Sequence, residues 1–141
     1  MTGTDRALMF TRRWGEGERM TDWTASDLDS LDRTGEIRVA GRRGDGSLHK
    51  LVIVWHVVVD GAVYVRSVRG ADGKWYQGVT KGMEGAISWG DQTRDVRYIR
   101  DADHDAAIDD AYFAKYGRGS SSQAITTAVA ASTTLRVEPA E

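Results

Sequence analysis

The sequence predicts an α+β domain in which a mainly antiparallel sheet of about six strands closes into a small barrel, with two or three helices around it. Three observations carry this reading. Alternating, β-rich runs are linked by the pairs Asp60-Gly61 and Gly90-Asp91, which favour tight hairpins between antiparallel neighbours. The stretch at 49–59, H-K-L-V-I-V-W-H-V-V-V, is apolar on both faces, as expected of a barrel wall or of a strand covered by a second subunit. Two segments, beginning near Thr24 and near Asp103, switch to helical spacing, and no segment repeats another.

Each element has its own local justification. Residues 1–21 show no sustained period and read as an N-terminal arm, with Phe10 and Trp14 as docking anchors; the domain proper occupies 22–141. Thr24 is placed to cap a helix whose first turn holds Asp27 and whose inner face holds Leu28 and Leu31, ending near Gly35. Residues 36–40 form a strand with Ile37 and Val39 on one side, and the turn 41–46 that follows carries Arg42 and Arg43. Along 49–59, Leu51, Ile53, Trp55, Val57 and Val59 share one face, and His56 shares the other with Val52, Val54 and Val58. The Asp60-Gly61 turn returns the chain as a strand over 63–68. There Tyr64, Arg66 and Val68 alternate with Val63, Val65 and Ser67. A glycine turn then leads to Trp75 and Tyr76, one expected as a core anchor and the other as a rim residue. Strands follow at 85–89 and 93–100. An amphipathic helix spans 103–116, closed by Gly117. A Ser/Ala/Thr-rich loop with at most a helical turn covers 119–132, and a last strand covers 133–137.

The totals exclude several function classes. The chain has 141 residues, enough for one domain with a substantial core. Its 19 basic and 21 acidic residues give a net charge of -2, so no global field draws it to nucleic acid or to a membrane surface. There is no cysteine, which rules out disulfides, thiolate metal sites and cysteine nucleophiles. Neither a signal peptide nor a run of ~20 apolar residues is visible, and a cytoplasmic location is expected.

Charge is nonetheless uneven. Between Arg42 and Lys81 lie seven basic residues and only three acidic ones. An arginine among Val and Tyr on a strand is costly to bury unless an anion meets it, so Arg66 marks an anion site, ahead of the turn residue Arg69. Arg42, Arg43 and Lys74 could complete it, with Trp75 walling a flat ring. His49, His56 and His104 have no metal-ligand spacing, and Asp101-x-Asp103-x-Asp105 lacks the later positions of a calcium loop; no metal is expected. His56 is the one histidine in an apolar strand, where it is a general acid or base or, more simply, a satisfied core residue.

Three blocks also resemble a known family: E-I-R-V-A-G-R-R-G-D-G-S, I-V-W-H-V-V-V-D-G-A-V-Y-V-R-S-V-R-G-A-D-G-K-W-Y and A-I-D-D-A-Y-F-A-K-Y-G. Together they are similar, from about Trp23 to Val137, to an uncharacterised bacterial family, the domain of unknown function 2255. That family is distantly similar to split-barrel proteins binding FMN or deazaflavin, which include pyridoxamine-phosphate oxidase-like and nitroreductase-like members. The resemblance implies a dimeric, six-stranded split barrel with ligand sites near the subunit interface. It also implies cofactor contacts from a G-R-R-S-G-like turn and a basic strand, here Arg42, Arg43, Arg66, Ser67 and Lys74. The arginine pair in this chain is followed by Gly44-Asp45.

Three functions therefore stand open on the sequence. The first is an oxidoreductase-like homodimer holding FMN or a deazaflavin through Arg66, Arg69, Lys74 and the Arg42-Arg43 turn, with a small organic substrate. The second is a cofactor-free isomerase, cyclase or hydrolase using His56 with Tyr64 or Arg66 as acid/base and anion stabiliser. The third is a noncatalytic small-ligand-binding protein.

Overall fold

The computed structural model describes residues 22–140, so the arm expected at 1–21 lies outside the described residues. Helix α1 (Ala25–Arg33) begins where the sequence places it: the Thr24 hydroxyl accepts from the Asp27 N–H at 3.0 Å. Seven strands follow one sheet. They are β1 (Ile37–Gly41), β2 (Val52–Val54), β3 (His56–Val59), β4 (Ala62–Val65), β5 (Glu84–Trp89), β6 (Gln92–Arg100) and β7 (Leu135–Pro139). Their spatial order is β2-β1-β5-β6-β7-β4-β3, with every neighbouring pair antiparallel.

One strand more than expected appears because the apolar run at 49–59 is broken at Trp55. Its first half, β2, pairs with β1, and its second half, β3, pairs with β4. These are the two ends of the sheet, and the chain passes from one to the other through Trp55 alone. The barrel is thus closed by covalent continuity at a corner, and beyond that corner its wall stands open. Apolar residues on both faces follow from this path: Val54 faces one core, and Val57, three residues later, belongs to the other.

The first core fills the barrel, where Val39, Val63, Val65, Ile87, Val96 and Leu135 are buried beside Tyr98. The Tyr98 hydroxyl donates to the carbonyls of Ala40 (2.9 Å) and Ala86 (3.2 Å), so a buried polar atom costs nothing unpaid here. Helix α1 plugs one end with Leu31. Trp23 and Trp89 meet edge to face at 5.9 Å, and their indole N–H groups donate to Val137 O (2.8 Å) and Ser30 Oγ (2.9 Å).

The second core lies outside the sheet, under α3 (Asp105–Tyr116), which packs Ile108 and Tyr112 on Val57 and Tyr64. Each such fully buried side chain contributes about 1.5–3 kcal/mol. Where two or three helices are expected, the described residues hold five, three of them short. The short ones are α2 (Lys74–Thr80), α4 (Ser120–Ile125) and α5 (Ala128–Ala131). Helix α2 lies against β1 at a point where no side chain fits between them: a Cβ on Gly41 would stand 2.5 Å from Gly78 O.

Candidate functional site

The open side of the barrel is a groove of about 620 Å³. One wall is β2 and the Trp55 corner. The opposite wall is the segment 66–69 running on from β4, continued by Gly73, Lys74 and Trp75 at the start of α2; Ser121, Ala124 and Ile125 of α4 close an end. Its lining is mostly apolar, and Ile53 and Val68 at its edges remain 49 % and 53 % exposed. Trp55 brings a ring whose plane is stacked on Tyr116, with centroids 3.9 Å apart and a 4° interplanar angle. Trp75 stands edge-on to Tyr76. Tyr76 is the core member of that pair, its hydroxyl accepting from Arg100 at 2.7 Å, and Trp75 is the rim member.

Five of the sequence-derived site residues line this groove together: Arg66, Ser67, Arg69, Lys74 and Trp75. Their availability differs. Arg66 is 1 % exposed, and its guanidinium points away to α3 and its neighbours. It donates to Asp109 Oδ1 (2.5 Å), Asp105 Oδ1 (3.4 Å), Thr134 Oγ1 (2.9 Å) and Ile125 O (3.2 Å). The anion that a buried arginine needs is therefore supplied from within the chain. Arg69 and Lys74 are exposed and have no hydrogen-bond or ion-pair partner among the described residues. Of the two arginines, the one ranked first in the sequence is the one already partnered, because a strand position is buried by whatever packs on it, and here that is an acidic helix.

Arg42 and Arg43 do not reach the groove. Arg42 spans Gly46 O (2.8 Å) and Asp95 Oδ1 (2.7 Å), and Arg43 donates to Ser47 Oγ and Leu48 O. Both guanidiniums brace the β1–β2 connection. The three residues expected as acid/base machinery are also parted. In the β3–β4 ladder His56 pairs with Val65 and Val57 with Tyr64, so His56 lies on the opposite face from Tyr64 and Arg66. His56 is fully buried, its Nε2–H donating to Leu31 O at 2.6 Å, while Nδ1 has no partner among the described residues. Burial pulls its pKa from 6.5 down to about 4, with the Lys115 ammonium adding to the same effect. Burial likewise raises the Tyr64 phenol.

A second titratable group lies elsewhere, on the face that carries Tyr64. His104 Nδ1 meets both oxygens of Asp101 at 2.9 and 3.0 Å, and that carboxylate raises the imidazole pKa. Asp101 also takes bonds from Arg136 (3.2 Å) and the Asp103 N–H (2.9 Å). Burial resists its ionisation, but the bonds from His104 and Asp103 outweigh it and lower its pKa. This carboxylate is a strap between β6, β7 and the start of α3. Among the described residues no cluster of His, Asp or Glu is arranged to hold a metal ion, and no helix is long and apolar enough to cross a membrane.

Sequence reasoning missed Trp55 as a groove wall, and it missed the α4 residues, which it assigned to a loop. The only signal for Trp55 was a large ring at the centre of an otherwise β-branched run. For α4 there was none, since S-S-S-Q-A-I has neither a capping side chain nor an apolar period.

Comparison with solved structures shows the same fold in proteins of distant sequence. A conserved hypothetical protein from Mycobacterium tuberculosis superposes with a TM-score of 0.55 at 12 % identity, over 84 % of this chain and 80 % of its own. An F420 reductase gives 0.51 at 14 % identity, over 80 % and 92 %. A protein described as a putative 5-nitroimidazole antibiotic resistance protein, from Bacteroides thetaiotaomicron, gives 0.50 at 13 % identity, over 84 % and 80 %. No curated protein matches the sequence. A family model does, over residues 27–137, from the first turn of α1 into β7, and the chain belongs to that family, described as an uncharacterized protein conserved in bacteria (DUF2255).

Proposed function

We propose that the groove binds a flat, anionic ring cofactor of the flavin or deazaflavin class, and that the protein is an oxidoreductase acting on a small organic substrate. The observation that carries this is the pairing of two uncommitted cations, Arg69 and Lys74, with an apolar, tryptophan-walled groove about 620 Å³ in volume. A ring system gains from burial against Trp55 and Trp75, and a phosphate gains charge-assisted bonds from Arg69 and Lys74. The Ser67 and Ser121 hydroxyls and the Glu36 carboxylate also belong to the lining, placed to orient an uncharged edge of the ring. When bound, such a cofactor supplies hydride transfer, and the chain's part is position and electrostatics. The similarity to an F420 reductase supports the fold side of this reading.

The donor set fits one phosphate better than a cage of arginines would suggest, because Arg66 is already neutralised by Asp105 and Asp109. No observation favours acid/base catalysis by His56, which does not line the groove.

The test is a fluorescence titration of the purified chain with FMN and with a deazaflavin coenzyme. Binding of at least one is expected, weakened roughly tenfold by Arg69→Ala or Lys74→Ala, the value of one charge-assisted hydrogen bond. Absence of binding by either ligand at millimolar concentration, or affinity indifferent to both substitutions, overturns the proposal.

A further inference from the structure

A second cleft, of about 340 Å³, adjoins the groove and shares Val52, Lys74 and Trp75 with it. It runs between the end of β1, the residues entering β2 and the outer side of α2. Its cationic side chains are Lys50, Lys74 and Lys81, His49 adds an imidazole, and no acidic residue lines it. All three ammonium groups lack a hydrogen-bond or ion-pair partner among the described residues. In a chain of net charge -2, whose Arg33, Arg42, Arg66, Arg94, Arg97 and Arg136 all meet carboxylates, a concave surface with unpaired cations and no acid stands apart.

We propose that this second cleft is an oxyanion subsite for a diphosphate-type group. Three lysines, one from the residues entering β2 and two from the opposite ends of α2, carry more positive charge than a monophosphate neutralises, and the His49 imidazole adds a hydrogen-bonding group, whereas the groove itself offers only Arg69 and the shared Lys74. Because Trp75 and Lys74 belong to both cavities, a single extended ligand can lay its ring in the groove and its diphosphate past Lys74. That source of the anion rests on the function proposed above; the subsite itself does not. The alternative source of the same chemistry is a free diphosphate bound independently of any ring.

Calorimetric titration of the full chain with inorganic pyrophosphate tests the subsite without any flavin present. The expected result is saturable binding that weakens tenfold or more in the double variant Lys50→Ala/Lys81→Ala, two exposed changes that leave the thermal midpoint in place. Pyrophosphate that fails to bind, or that binds the double variant equally well, overturns the subsite. Competition then assigns the source. Because Lys74 serves both cavities, pyrophosphate is expected to weaken FMN binding as well; pyrophosphate that weakens FAD binding at least tenfold more than FMN binding supports the spanning ligand, and pyrophosphate that weakens the two equally, or neither, supports a free diphosphate and overturns the span. If no flavin binds at all, the reading of the groove fails, and the pyrophosphate result still decides the subsite.

Discussion

Arg66 shows how a correct physical premise leads to the wrong partner when only the sequence is in view. Burying a guanidinium required an anion, and that much was legible in Y-V-R-S-V. That the anions would be Asp105 and Asp109, 39 and 43 residues further on, was not, since the helix carrying them reads locally as a capped amphipathic segment. The pair is asymmetric: the Arg66 side chain is fully sealed, whereas those of Asp105 and Asp109 are 44 % and 34 % exposed. Removing the acids strands a charge without water, and removing the arginine leaves acids that water can solvate. Asp105→Asn/Asp109→Asn is therefore expected to cost about 3–5 kcal/mol, and Arg66→Met, which keeps the apolar stem, about 1–2 kcal/mol. Urea unfolding compares the two, and an equal or larger loss for Arg66→Met contradicts the asymmetry. His56 supplies a pH signature. Its pKa is lowered from 6.5 to about 4 in the folded state, so between those values the unfolded chain binds the extra proton. The stability is full above pH 6.5 and is lost as pH falls towards 4, by up to about 3 kcal/mol. His56→Gln is expected to flatten the acid slope of the unfolding free energy across that window. His104 acts in the opposite sense, its partnership with Asp101 fading as pH rises through its raised pKa.

The β3–β4 hairpin was the most legible element, because Asp-Gly encodes it chemically. Asp60 and Gly61 adopt φ of 50° and 81°, both left-handed, as a two-residue type I′ turn requires, and the ladder pairs Val59 with Ala62 as that turn dictates. Gly61→Ala places a Cβ in the left-handed region and is expected to lower stability by about 1–2 kcal/mol in thermal or urea unfolding. Asp60→Asn, which tolerates the same φ, is expected to be close to neutral. A Gly61→Ala protein as stable as the parent would show that the turn relaxes to another type. The break at Trp55 was illegible for a matching reason. A strand that leaves one sheet end to join the other is apolar on both faces, just as a continuous central strand is, so periodicity cannot separate them. Helix α2 was hidden by its composition: K-W-Y-Q-G-V-T has no capping side chain and carries a glycine in its middle, and what holds it is packing on β1 through Gly41.

At the scale of the whole molecule the groove and the closure of the barrel are one feature. The two ends of the sheet meet only through the chain at Trp55, and the space left beyond that corner is what β2, the 66–69 segment and α4 enclose. A ligand there bridges both sheet ends and the helix layer. Its binding energy is thus expected to couple to global unfolding and to strengthen more than one loop. At a ligand concentration of 100 times Kd, the folded state gains about 2.7 kcal/mol. For a domain of this size that raises Tm by roughly 7–12 °C. Hydrogen exchange discriminates this coupling from local ordering. With FMN or a deazaflavin bound, protection is expected to rise at 52–55, at 66–69 and at 121–125 together, three segments far apart in sequence that all line the groove. A rise in Tm accompanied by protection confined to 66–75 would mean that the ligand sits on the glycine turn alone and that the barrel's open side is not the site.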